Sequence, residues 1–180
     1  MLSALDHLGA NRILHRDLKT QNILISDCTQ VKICDYGLSR LSEFDSRPYS
    51  NNVVSLWYRA PELLLGSTEY TAAIDVWSLG CIFYELVMKV PPFKAKSEAE
   101  QLTVIFDNLG IPKKEDFANI SHLPKFVESK KTEASIFSKL PREFIESQGF
   151  DLMMKMFIYN QDKRITPKQA LNHDYFAEKW

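Results

Sequence analysis

The spacing of hydrophobic positions changes along the chain, and each change marks a predicted element. Leu2, Leu5 and Leu8 recur at helical spacing, with Gly9 as the expected stop. Ile23-Leu24-Ile25 and Val31-Lys32-Ile33 are short apolar runs around the polar stretch 26–30, which predicts a small β-hairpin. Residues 37–56 are polar and carry Pro48, Asn51 and Asn52, the marks of a long surface loop. From Thr71 the period turns helical. Ile74, Trp77, Leu79, Ile82, Phe83, Leu86 and Val87 cover nearly the whole circumference, as in a helix buried on most sides, and Pro91-Pro92 ends it. Ser97 with Glu100 predicts a capping box for a helix whose apolar face is Leu102, Ile105, Phe106 and Leu109, with Gly110 as its stop. Residues 112–146 mix Lys and Glu with scattered aromatics, Pro124 and Pro141, and predict an irregular insert with short helices. Phe150 to Ile158 is again amphipathic, and Thr166 (cap) with Pro167 (first position) opens a last helix. The expected fold is mainly α with a small β-hairpin.

Composition narrows the class. The 180 residues are enough for one domain with a sizeable core, and 45% hydrophobic with 25% charged residues is ordinary for a globular chain. A net charge of −1 gives no electrostatic reason for a nucleic-acid or anionic-membrane partner. The most apolar stretch, 72–90, carries Asp75 and Glu85 and reads as a buried helix rather than a membrane span. Cys28, Cys34 and Cys81 fit neither a disulfide framework nor paired metal-ligand spacing, which points to a reducing compartment. Residues 1–10 lack a basic segment before an apolar one, so no signal peptide is expected; cytoplasm and nucleus are the expected locations.

The chemistry concentrates in His15-Arg16-Asp17-Leu18-Lys19-Thr20-Gln21-Asn22 and in Asp35-Tyr36-Gly37. The first matches the H-R-D-L-x-x-x-N catalytic loop of protein kinases. Phosphoryl transfer needs one carboxylate facing the attacking hydroxyl, with a separate amide and carboxylate for magnesium, and Asp17, Asn22 and Asp35 are those residue types. Ala60-Pro61-Glu62, then Asp75-Val76-Trp77-Ser78-Leu79-Gly80, then Arg164 follow in order. The chain therefore resembles the C-terminal lobe of a eukaryotic protein kinase, from residue 1 to about 176. The run from Val53 to Gly66 looks like cyclin-dependent kinases, within the group that also holds the MAP kinases. Cys34 and Leu109-Gly110-Ile111-Pro112 lean towards MAP kinases, but Ser50-Asn51-Asn52 stands where those carry Thr-x-Tyr. On this reading residues 1–180 are a partial kinase domain, with an activation segment over 35–62 and a group-specific insert at about 112–146.

The resemblance implies roles residue by residue. Asp17 would orient the substrate hydroxyl and accept its proton, Lys19 would contact the γ-phosphate of ATP, and Asn22 and Asp35 would ligate Mg2+. Ser55 would fix the loop beside Asp17 and Lys19. Leu24 would pack beneath adenine, although alone it is indistinguishable from a core leucine. Cys34 would border the nucleotide pocket, as a small buried hydrophobe or as a reactive thiol. Arg16 and Arg40 look like a clamp for a phosphorylated Ser50, against the plainer reading of Ser50 as a solvated loop serine. Val53, Val54 and Arg59 resemble the platform that accepts proline after the target residue. Glu62 and Arg164 look like a buried structural ion pair, and Asp75 like an acceptor for the catalytic-loop backbone. His15 resembles a core-stacking histidine; His7, His122 and His173 read as surface or helix-end residues. The charge-balanced stretch from Lys125 to Lys139 reads as a solvated face that coincides with a docking insert.

Two departures stand out. Thr20 replaces the usual proline, losing a pre-set backbone dihedral, and Tyr36 replaces the usual phenylalanine, adding a hydroxyl that needs a partner if buried. Only fourteen residues precede the catalytic loop, so neither a G-x-G-x-x-G nor a V-A-I-K segment is present. The N-terminal lobe is thus expected to be absent, the chain alone inactive, and apolar surface exposed beside the first helix. The implied function is a proline-directed serine/threonine kinase using ATP and Mg2+ on Ser/Thr-Pro proteins, with a cyclin-like activator or docking protein as partner. The alternative is a truncated or pseudokinase-like, non-catalytic binding module.

Overall fold

In the computed structural model the described residues are 1–27, 30–41, 54–112 and 135–177. Seven helices are described: α1 (Leu2–Ala10), α2 (Pro61–Leu64), α3 (Ala73–Met88), α4 (Glu98–Leu109), α5 (Arg142–Ile145), α6 (Gln148–Met156) and α7 (Pro167–Leu171). Four short strands accompany them: β1 (Ile13–Leu14), β2 (Ile23–Ser26), β3 (Gln30–Ile33) and β4 (Arg40–Leu41). The strands form two separate antiparallel pairs. β2 pairs with β3 from Ile23 opposite Ile33 to Ser26 opposite Gln30, the hairpin expected from the apolar runs. The second pair, Ile13 opposite Leu41 and Leu14 opposite Arg40, was not visible in the sequence, because two-residue strands have no measurable period. None of the described helices is long and apolar enough to cross a membrane.

α3 is the axis of the core. Ile74 to Ile82 are buried without a break, and Trp77 stacks among Phe93, Phe157 and Tyr159. α6 crosses α3 at Gly80, where an added Cβ would lie 2.9 Å from the Phe157 ring and 3.0 Å from Met156 Cβ, so only glycine permits this approach. The burial expected for the whole of α3 holds only to Tyr84: Leu86 is 60% exposed and borders an apolar groove with Met1, Leu2, Phe83 and Phe176.

Several helix ends differ from the sequence reading. Gly9 lies inside α1, which continues to Ala10, and the Asn11 side chain donates to His7 O at 2.8 Å to close it. α3 stops at Lys89, in left-handed conformation (φ 61°), before the prolines are reached. Ser97 accepts from Glu100 N at 3.3 Å, but Glu100 reaches back to Lys96 N (2.8 Å) instead of Ser97, so the box is only half formed. The complete capping box lies at Thr166–Gln169. α6 begins two residues earlier than the amphipathic run because Ser147 caps it, accepting from Phe150 N. Within the insert, 113–134 lies outside the described residues. Lys139, at the end of the charge-balanced stretch, is exposed as the solvated-face reading expects, and its Nζ also donates to Asn108 Oδ1 at 2.6 Å.

Candidate active site

The catalytic loop hangs from a buried carboxylate. Asp75, in the first turn of α3, accepts from His15 N (2.8 Å) on Oδ2 and from Arg16 N (2.9 Å) on Oδ1. Arg16 takes a left-handed backbone there (φ 66°), a costly conformation for a side chain of this size that the two Asp75 bonds over-determine. Burial raises the Asp75 carboxyl above its ordinary range, although the His15 and Arg16 amides oppose that shift. The fully buried His15 ring donates to Cys34 O (3.1 Å) through Nε2, while Nδ1 accepts from Asp17 N (3.3 Å). A neutral ring with its proton on Nε2 satisfies both contacts, so His15 couples the Asp17 backbone to the strand end before Asp35. Tyr36 packs edge-on against His15 at 4.9 Å and is 47% exposed, so its extra hydroxyl reaches solvent.

Asp17 is the most fully engaged side chain of the group. Oδ1 accepts from Ser55 N (3.1 Å) and Ser55 Oγ (3.0 Å); Oδ2 accepts from Lys19 Nζ (2.8 Å) and Asn22 Nδ2 (3.2 Å). Lys19 Nζ also donates to Ser55 Oγ at 3.0 Å. Burial alone would raise the Asp17 carboxyl, but Lys19 and Ser55 together outweigh it and hold it below the usual carboxylate range. A lowered folded-state value means that Asp17 stabilises the fold above the unfolded-state value, and that this contribution fades as pH falls through the folded one. Ser55→Ala removes one donor, so the acid limb of any Asp17-dependent pH–rate profile is expected to move to higher pH; an unmoved limb would show that Ser55 does not tune this carboxylate.

Asn22 is buried in the short turn Thr20–Asn22, and both of its side-chain hydrogen bonds run from Nδ2, to Asp17 O (2.8 Å) and Asp17 Oδ2. Its Oδ1 is thereby oriented away from Asp17. Asn22 O accepts from Cys34 N at 3.0 Å, which brings Asp35 alongside. Asp35 is exposed in a left-handed conformation (φ 62°), with Oδ1 accepting from Gly37 N (3.3 Å). One amide oxygen and one carboxylate are hard donors that fit Mg2+ with water and phosphate oxygens completing its shell. No cluster of three or more His, Cys, Asp or Glu suited to a metal occurs among the described residues.

The remaining candidates sort as follows. Leu24 is 54% exposed on the hairpin face, which excludes the core-leucine reading. Cys34 is half-buried. Arg16 Nε donates to Leu38 O (2.7 Å) and Nη1 to Tyr70 Oη (3.2 Å), and Arg40 lies opposite Leu14 in β4. Ser50 and Val53 lie outside the described residues. Val54 is buried with φ 68°, rare for a β-branched residue, and its carbonyl accepts from Arg59 Nε (3.1 Å) and Nη2 (2.9 Å). Arg59 Nη1 pairs with Glu98 at 2.5 Å. Arg164 and Glu62 meet in a buried bidentate pair at 2.8 and 3.1 Å. Arg164 spends its other donors on the carbonyls of Ile158, Ala73 and Tyr159. The sequence reading missed Tyr58, Tyr70, Glu85 and Glu98, whose partners lie 27 to 54 positions away and leave no local signal.

The sequence profile of the protein kinase domain matches residues 1–176. The chain belongs to the protein kinase family. Among curated proteins, cyclin-dependent kinase G-1 of Oryza sativa subsp. indica is 44% identical over 99% of this chain and 27% of its own length. Cyclin-dependent kinase 11B of Homo sapiens is 42% identical over 99% of this chain and 23% of its own. In a crystal structure of the yeast RNA Pol II CTD kinase CTDK-1 complex, one chain superposes with a TM-score of 0.90 at 36% identity, covering 99% of this chain and 60% of that one. This kinase chain thus resembles cyclin-dependent kinases along nearly all of its length, while spanning about a quarter of those curated relatives. Protein kinases as a family use ATP and Mg2+.

Proposed function

We propose that this chain is the catalytic C-terminal lobe of a serine/threonine protein kinase that transfers the ATP γ-phosphate to a serine or threonine followed by proline. The observation that carries it is the Asp17 carboxylate, ionised and held by Ser55, Lys19 and Asn22. A carboxylate offers about four acceptor sites, and here four donors fill them. When Lys19 turns its ammonium to the γ-phosphate it vacates one site on Oδ2, and that site receives the substrate hydroxyl. Its lowered proton affinity makes Asp17 mainly an orienting group that takes the proton late, as phosphorylation of the hydroxyl oxygen acidifies it. Asn22, through Oδ1, and Asp35 would hold Mg2+. Magnesium supplies neutralisation of charge on the transferring phosphoryl group. Lys19 contacting that group reads as serine/threonine chemistry.

The preference for proline follows from Val54. Its positive φ turns the carbonyl to Arg59, so a substrate amide at the position after the target residue finds no acceptor there. An N–H desolvated without a partner costs about 1–3 kcal/mol, and proline has none. A Ser-Pro peptide is therefore expected to exceed its Ser-Ala counterpart in kcat/KM by about 5- to 150-fold. Equal values would remove the proline-directed reading while leaving the kinase. Arg16 in the catalytic loop, and Arg40 in the same activation segment as Ser50, support control by phosphorylation of that segment. The identity to cyclin-dependent relatives supports a cyclin-like activator.

A further inference from the structure

The Thr20 side chain takes part in a contact that the catalytic roles above leave unused. Its Oγ1 lies 3.2 Å from Tyr58 Oη, and Tyr58 Oη donates to Glu85 Oε2 at 2.7 Å. A carboxylate accepts only, so the single phenol proton must go to Glu85. Tyr58 Oη is then the acceptor, and the proton between the two hydroxyls is the one on Thr20. The direction is fixed: Thr20 to Tyr58 to Glu85. The alternative acceptor for the Thr20 hydroxyl, Gln21 Oε1, is longer at 3.4 Å.

The far end of this chain is rigid. Tyr58 is 2% exposed, and its own carbonyl accepts from the buried Ser78 Oγ at 2.8 Å. Ser78 and Glu85 both belong to α3, so Tyr58 is fastened to the core helix at its backbone and at its phenol. Burial, with Glu85 beside it, pushes the Tyr58 phenol up to about 12, which keeps it a donor throughout the neutral range. The near end adjoins the chemistry. Thr20 follows Lys19 and opens the turn that carries Asn22, while Tyr58 closes the turn that follows Ser55. The loop and the activation-segment turn are thus joined twice, by Asp17 and Lys19 on Ser55 and by Thr20 on Tyr58. The first link must rearrange when Lys19 turns to phosphate; the second need not.

We infer that Thr20 is a positioning residue for phosphoryl transfer: its hydroxyl bolts the catalytic loop through Tyr58 to Glu85, holding Asp17 in register while Lys19 exchanges partners. This rests on the kinase reading. The position lacks the ring of the usual proline, and the hydroxyl bond supplies the restraint that the ring would have provided.

The test compares the intact protein with its Thr20→Val, Tyr58→Phe, double and Thr20→Ser variants. Two readouts are taken: steady-state transfer from Mg-ATP to a Ser-Pro peptide, and amide hydrogen exchange across residues 18–22. Thr20→Val keeps the β-branched shape, so the melting temperature is expected to stay near that of the parent. Its kcat should fall about 3- to 10-fold with both KM values within about two-fold, since one neutral hydrogen bond is lost. Exchange at 18–22 should rise in step, Thr20→Ser should restore both, and the double variant should be no worse than the poorer single one. Unchanged kcat and exchange in Thr20→Val, no rescue by serine, or additive losses would each overturn the inference. Were the parent inactive, exchange would still decide: protection at 18–22 lost in Thr20→Val and regained in Thr20→Ser would keep the bolt and discard the kinase reading. Equal protection would discard the bolt.

Discussion

Asp17→Asn is expected to lower kcat by about 10²–10⁴-fold in a protein that still folds, with the melting temperature lowered by the loss of the stability that the ionised carboxylate contributes. The substitution keeps the shape and leaves Oδ1 accepting from Ser55 N and Oγ. At the Oδ2 position, however, an amide NH2 now faces Lys19 Nζ and Asn22 Nδ2, two donors that had met a carboxylate. Lys19 is pushed off its resting place, the substrate hydroxyl loses its acceptor, and the transferred proton has no destination. Steady-state kinetics beside a thermal melt checks this. A variant that retains more than about a tenth of the parental kcat would mean that positioning of phosphate, not Asp17, carries the rate.

The second large effect concerns the fold. Glu62→Gln is expected to cost about 3–5 kcal/mol, because it leaves the Arg164 guanidinium buried with an amide where its counter-charge had been. Replacing both partners by Met is often close to neutral in buried pairs. Here it should not be, since Arg164 also satisfies the carbonyls of Ile158, Ala73 and Tyr159 and lies over the Trp77 ring at 5.2 Å. The double variant should therefore stay destabilised, because the carbonyls of Ile158, Ala73 and Tyr159 each lose a guanidinium donor. Urea unfolding of the two variants separates these terms; full recovery in the double variant would show that the carbonyl bonds contribute nothing.

Much of the site was legible because its residues are adjacent in the chain. His15 to Asn22 supplies the loop, and the hairpin that returns the chain from Asn22 to Asp35 shows in Ile23-Leu24-Ile25 and Val31-Lys32-Ile33. Contacts across long separations were legible only where the family resemblance pointed to them, as with Ser55 on Asp17, Asp75 under His15 and Arg16, and Glu62 with Arg164. Where no such guide existed they were missed. Tyr58 looked like one aromatic within a motif, yet its phenol joins Thr20 to Glu85. Helix ends were misjudged for a related reason: Gly9 and Pro91-Pro92 mark where a helix is permitted to stop, whereas Asn11 and Lys89 mark where the backbone bonds run out. The exposure of Leu24 and Leu86 could not be read from hydrophobicity either, since periodicity names an apolar face without saying what covers it.

The most direct measurement is transfer of radiolabelled γ-phosphate from Mg-ATP to a Ser-Pro and Thr-Pro peptide library by this lobe joined to an N-terminal kinase lobe, with Asp17→Asn run in parallel and the labelled residue mapped. The account predicts magnesium-dependent label on the serine or threonine before proline, falling to background in the variant. Label at the same level from both proteins, or none from a folded parent, would contradict it, and the second result would favour a kinase-family module that binds without turnover.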